Sequence, residues 1–262
     1  MSTEASTVNA GTQANPEMQA LGLNFDKWQD AVEAAIATNQ LAVTGEIRGG
    51  QLIQFHDPSG AQLNILAVEP FATFLGFEGV TKTFAHVDML NDVLSYMDII
   101  DPFGNSLAHV TANLAQGPLL AEEDTQQWQE VSVAALGLNV VAYPSSEEYE
   151  ADNGAFPAAF ESEGAEIVDT NSAATPTALA TFAARVMESE WRHNQLTGEK
   201  FMHAVMDGAF PFDLCLPASF GGGKLPAKDT VLAGTALAVA SVNLPSGGGC
   251  GGCGGSCGCG GH

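Results

Sequence analysis

The sequence predicts a mainly β chain of the α+β kind, with two small antiparallel β subdomains, the C-terminal one a barrel of the OB or Greek-key type, one N-terminal amphipathic helix and a disordered Gly/Cys tail. Three observations predict it. Apolar residues recur at helical spacing clearly once, near residue 30. From Leu41 onward, short apolar runs alternate with Asp-Pro-x-Gly and other turn signals. Residues 247–262 read GGGCGGCGGSCGCGGH, a stretch that has almost nothing to bury and loses the most backbone entropy on ordering. The expected division is a disordered segment over 1–20, a helix-plus-hairpin domain over 21–165, a small barrel domain over 166–246 and a flexible tail over 247–262.

Residues 1–20 are rich in Ser, Thr, Asn, Gln and Glu, a composition that does not repay the entropy of ordering. The first element follows, with Asn24 as N-cap, Phe25, Trp28, Val32, Ala35 and Ile36 on one face, Asp26, Asp30 and Glu33 on the other, and an end near Asn39. QLIQF-HDPSG-AQLNIL and LSYMDII-DPFG-NSLAHV then place Asp-Pro-x-Gly between strand-like stretches. Asp starts a type I turn, Pro fixes the second position and Gly takes the fourth, so each reads as a hairpin. The two match as Asp-Pro-x-Gly-x-x-Leu from Asp57 and from Asp101, 44 residues apart, which suggests a structural repeat or independent use of one favourable turn.

Next come an acidic turn at Glu122, Glu123 and Asp124 and an apolar strand over 131–142. Ser145 and Glu148 then stand at capping-box spacing, opening a helix that breaks near Gly154 and Pro157. GAEIVDTNSAATPT is small and polar and reads as a linker or long loop. Residues 178–191 fit a helix through Leu179, Phe182, Ala183, Val186 and Met187, and a strand through Ala180, Phe182, Ala184 and Val186; context favours the strand. A turn at Leu196–Gly198, FMHAVMDGAFPFDLCLP and DTVLAGTALAVASVNLP complete the expected barrel, with 220–223 and Pro226 in a loop and Pro211 and Pro217 limiting which strands are central.

Against 31 Asp and Glu the chain has eight Lys and Arg, a net charge of −23, and between Trp28 and Ala184 its only cations are Arg48 and Lys82. Nucleic acid and anionic membranes, which are bound through basic patches, are therefore not expected partners; the charge reads as solubility and self-repulsion, with a cation-attracting field as the sharper alternative. The N-terminal residues lack a basic start and an apolar run of signal length, and no window approaches the ~20 apolar residues of a span, so a cytoplasmic location is expected. Cys215, alone in the body, reads as a small buried hydrophobe, so disulfides are not what holds the fold.

Chemistry concentrates in the tail. Cys250, Cys253, Cys257, Cys259 and His262 are spaced C-x2-C-x3-C-x-C-x2-H, and any four of them can close around one ion, with glycine allowing the tight turns. Thiolates select Zn(II), Cu(I) or an iron–sulfur cluster, although the spacing matches neither a zinc finger nor a ferredoxin. Without surrounding residues to orient its ligands, such a site exchanges its metal readily and suits delivery to a metal acceptor or buffering. The alternative from another class is a non-enzymatic β scaffold that captures a protein partner, the tail being incidental. Elsewhere no GxSxG elbow, P-loop or GxGxxG follows a strand, and an enzymatic role is not favoured, though a site built from distant loops leaves no local motif. Glu188, Glu190, His193 and His203 lie close in sequence, and ordinary surface polarity accounts for them best.

Two resemblances bear on these residues. The DPFGN hairpin at 101–105 is similar to hairpins of the glyoxalase and vicinal-oxygen-chelate enzymes, whose strands carry metal-binding His and Glu. His56, His86 and His109 are not surrounded by the full strand-helix-three-strand module, so those ligand roles are not carried over. The tail, with Ser256-Cys257, resembles the core of thiazole- and oxazole-modified microcins, which implies cyclisation of Cys and Ser onto the backbone and loss of the thiols. The 246 residues before the tail depart from the short leaders of that family.

Overall fold

A computed structural model describes residues 15–69 and 71–243. The tail ligands Cys250, Cys253, Cys257, Cys259 and His262 lie outside the described residues. The chain is mainly β. Two short helices, α1 (Pro16–Gln19) and α2 (Trp28–Ala37), precede a four-stranded antiparallel sheet of β1 (Ala42–Ile47), β2 (Gly50–His56), β3 (Ala61–Ala67) and β4 (Ala72–Phe77). The remaining strands, β5 (Thr83–Met89), β6 (Leu94–Ile100), β7 (Ser106–Leu114), β8 (Gln126–Tyr143), β9 (Ala159–Ser162), β10 (Leu179–His193), β11 (Lys200–Asp207), β12 (Pro211–Pro217) and β13 (Val231–Val242), form one mixed sheet. Helices α3 (Gly117–Leu120), α4 (Ser146–Asn153) and α5 (Glu163–Asp169) lie in its connections.

The pairings of this sheet return on themselves twice. One ring runs β8-β5-β6-β7-β13, closed by the parallel β7–β13 contact and the antiparallel β8–β13 ladder. The other runs β8-β12-β11-β10-β13, closed through the parallel β12–β8 contact and the same ladder. Strands β8 and β13 are thus shared, and β8 is buried on both faces over 131–137. Strand alternation sends Val131, Val133 and Ala135 into one core and Ala134 and Leu136 into a second. This is why VSVAAL and LAVASV are nearly continuous apolar runs, interrupted only by Ser132 and Ser241. Double burial removes the polar half of the usual alternation, and the close ladder leaves little room for bulk.

The second core lies between the rings, the four-stranded sheet and the N-terminal helices. It gathers Leu63, Leu75 and Phe77 with Met18, Leu21, Leu23 and Phe201, each large side chain contributing about 1.5–3 kcal/mol by leaving water. The segment expected to be disordered up to residue 20 is therefore ordered from Asn15. Met18, Ala20 and Leu21 are fully buried, an apolar cluster too short to stand out against its polar flanks. Helix α2 begins later than its predicted cap, with Lys27 rather than Asn24 at the N-cap.

Both Asp-Pro-x-Gly hairpins form. In each, the first Asp side chain accepts from the amide two residues on (Ser59, Phe103) and the Gly amide donates to the Asp carbonyl. Their glycines have φ of 95° and 86°, the left-handed region. The hairpins occupy different sheets. Ser145 caps α4 through the Glu148 amide, as the spacing predicts. The stretch read as a linker is instead partly helical, because Ser162 caps α5 through Ala165 and buries Gly164 and Ala165 beneath it. Of residues 178–191, all from Leu179 onward are strand, within β10. Strands from both sides of residue 165 pair in the same sheet. Among the described residues no helix is long and apolar enough to cross a membrane.

Candidate functional site

Two polar clusters stand out, one in each ring. In the second, β11 and β10 pair so that Glu190 lies opposite His203, and β11 and β12 pair so that His203 lies opposite Cys215. Alternation along β10 puts Glu188, Glu190 and Arg192 on one face, beside a cavity of about 370 Å³ that Val80, Val205 and His203 also line. Asp213, fully buried on β12, accepts from His203 Nε2 at 2.6 Å, the Thr81 hydroxyl at 2.6 Å and the Val80 and Thr81 amides. Burial pushes its pKa up, but the donors from His203 and Thr81 outweigh this and hold the carboxyl below its ordinary value.

With Nε2 engaged, His203 turns Nδ1 to Glu190 Oε1 at 3.3 Å, and its ring lies 5.5 Å from that of Phe77. The Arg192 Nε donates to the same Glu190 oxygen at 2.8 Å, while Nη1 donates to the Ser59 carbonyl. The Arg192 hydrogen bond, followed by its charge and that of His203, outweighs partial burial and lowers the pKa of Glu190. Of the four residues noted together in sequence, Glu190 and His203 meet and Glu188 lines the same cavity. His193 is exposed at the end of β10. Asp213 and Arg192, which complete the cluster, were missed; the FDLCL run in which Asp213 sits was a signal, since a carboxylate in so apolar a strand needs buried donors.

A larger groove of about 760 Å³ lies where β7 of the first ring meets β9, α5 and β10, lined by Leu138, Ala165, Leu179 and Ala180 together with Glu161, Glu163, Glu166 and Asp169. At its edge His109 Nδ1 meets Asp169 at 2.7 Å and Nε2 lies 3.6 Å from Asp98, which accepts from Ser106. Tyr96 donates to Asp169 at 2.6 Å and its ring lies 5.4 Å from His109; burial first, and then this bond, push its hydroxyl well above the ordinary value. Donors from Tyr96 and His109 together outweigh the upward effect of burial and lower Asp169.

His56 sits between Gln54 and Gln62, and His86 Nδ1 accepts from the Trp128 amide. Cys215 is fully buried, and burial, reinforced by Asp213, pushes its thiol well above the ordinary range. Among the described residues no group of three His, Cys, Asp or Glu is placed to hold a metal ion. No protein-family model, curated protein or solved structure matches this chain.

Proposed function

We propose that the protein binds a soft metal ion through Cys250, Cys253, Cys257, Cys259 and His262, with the β body as carrier. The observation that carries this is the donor set itself, five soft or borderline ligands within thirteen residues that are otherwise glycine and one serine. Zn(II), Cu(I) and an iron–sulfur cluster are the ions such thiolates take in a reducing cytoplasm, and a site of this kind hands its ion to an acceptor. The body supports the reading in two ways. Its described cysteine is buried and unready to form a thiolate, so it does not compete, and the net charge of −23 raises the local cation concentration while disfavouring nucleic acid and anionic lipid. Intact mass under native and denaturing conditions tests it. A native excess equal to a metal ion, abolished when the four tail cysteines are replaced by serine, supports the site; unchanged stoichiometry in that variant overturns it. A denatured mass short of one water and two hydrogens at each modified Cys or Ser, with thiols that resist alkylation, assigns the tail to azole-type modification instead.

A second reading, that the β body is itself a binding module, is favoured by the groove at His109. The OB or Greek-key type expected for 166–246 finds its support in the first ring instead, drawn from 83–143 and β13, whose order β5-β6-β7-β13-β8 has β7–β13 as its parallel pair. Such barrels bind on the face of their second and third strands, here β6 and β7, which carry Tyr96, Asp98 and His109. Deleting 247–262 separates the two, since partner capture by the body survives it.

A further inference from the structure

We propose that the cavity beside His203 and Arg192 is a binding site for a small organic carboxylate, and that Glu190 is its intramolecular stand-in. The inference is independent of the tail. Two nitrogens on adjacent strands converge on one oxygen, Glu190 Oε1, Arg192 Nε at 2.8 Å and His203 Nδ1 at 3.3 Å. Both are held from behind. His203 is fixed by Asp213 and by the Phe77 ring, with 3% of its side chain exposed. Arg192 is fixed by the Ser59 carbonyl and lies over the same ring at 5.5 Å. Their partner is not held in this way: the Glu190 side chain is 57% exposed, and its hydrogen bonds are to these two nitrogens.

Two anchored nitrogens facing an exposed carboxylate, next to an open volume of about 370 Å³, are the arrangement an incoming carboxylate needs: it takes over the oxygen position and Glu190 swings to solvent. With Nε2 donating to Asp213, His203 presents a second N–H at Nδ1 in its imidazolium form, so both groups facing the anion then donate. An Arg guanidinium beside it matches a planar carboxylate better than a point charge would. Val80 and Val205 supply apolar wall for a short hydrocarbon chain, whereas Glu188, on the same face, excludes a second negative charge. The ligand is therefore a monoanion with a small apolar body, and Glu190 sets the concentration at which it enters.

The test titrates the full-length protein with butyrate and with inorganic phosphate while following the His203 imidazole by long-range ¹H–¹⁵N NMR. The resonance is assigned by its loss in His203→Gln. Removing the internal competitor in Glu190→Gln, an exposed substitution, is expected to tighten butyrate binding about tenfold, a change of about 1.4 kcal/mol. Adding Arg192→Lys, which keeps the charge but loses the planar fork, is expected to weaken it again, with thermal melts showing that each variant is folded. The proposal is overturned if Glu190→Gln shows no saturable shift, if its affinity equals that of the wild type, or if Arg192→Lys leaves binding unchanged. A stronger response to phosphate overturns the carboxylate assignment.

Discussion

Asp213 is a buried carboxylate satisfied by four donors, and each of them depends on its charge. In Asp213→Asn the amide nitrogen must face at least one N–H or O–H, so a buried donor loses its partner. The expected cost is about 3–5 kcal/mol, read from the urea midpoint. The sign of the pH effect follows from the direction of its shift. A carboxyl held below its unfolded value of about 3.9 stabilises the fold above that pH, and the contribution is lost as pH falls through the folded value. Acid titration of stability is accordingly expected to be shallower in Asp213→Asn than in wild type below about pH 4. Cys215 yields a second expectation at this scale. In a variant with the four tail cysteines replaced by serine, the remaining thiol is expected to resist alkylation in native buffer and to react once urea exposes it; reaction in native buffer at the rate seen in urea would contradict its burial.

The two Asp-Pro-x-Gly turns show how one local motif acquires different weight from its surroundings. Asp101 bonds within its own turn, to the Phe103 and Asn105 amides and the Asn105 side chain. Asp57 is buried and also accepts the Gln195 and Leu196 amides, so it ties the β2–β3 hairpin to the β10–β11 turn. Asp57→Ala removes the acceptor of the Gln195 and Ser59 amides, the Leu196 amide keeping Asn194 Oδ1 at 3.0 Å, and is expected to cost about 2 kcal/mol; Asp101→Ala, whose donors reach water, is expected to cost clearly less in the same urea series. Equal losses would mean the cross-sheet bonds contribute nothing. Both turns, the Ser145 cap and the strand over 178–191 were legible because each rests on neighbours in sequence. Helix α5 was not, because its composition is small and polar and its stability comes from seating Gly164 and Ala165 against β7 and β10. The His203 cluster was half legible. Glu190 and His203 are close in sequence, but Asp213 and Thr81 join them only through strand register and a loop from before β5, and register across a sheet has no local signature.

At the scale of the whole molecule, the charge of −23 acts against compaction, since 31 Asp and Glu stand against eight Lys and Arg. Of the few opposite-charge pairs, Arg48 with Asp92 at 2.6 Å is partly exposed and adds little. Screening is therefore expected to stabilise the fold. Raising NaCl from 10 mM to 300 mM should increase Tm, by about 2–4 °C for each kcal/mol of repulsion removed; a fall would show that attractive pairs dominate. The shared β8–β13 ladder has a further consequence for how the chain is made. Strand β13 follows every other described strand in sequence, yet neither ring closes without it. During synthesis β7, β8 and β10 emerge with open edges and must wait for their last neighbour, a period in which exposed apolar strands invite pairing with other chains. Completion hangs on contacts between residues about a hundred positions apart, so slow folding with a long-lived open-edged intermediate is the expected consequence of this ladder.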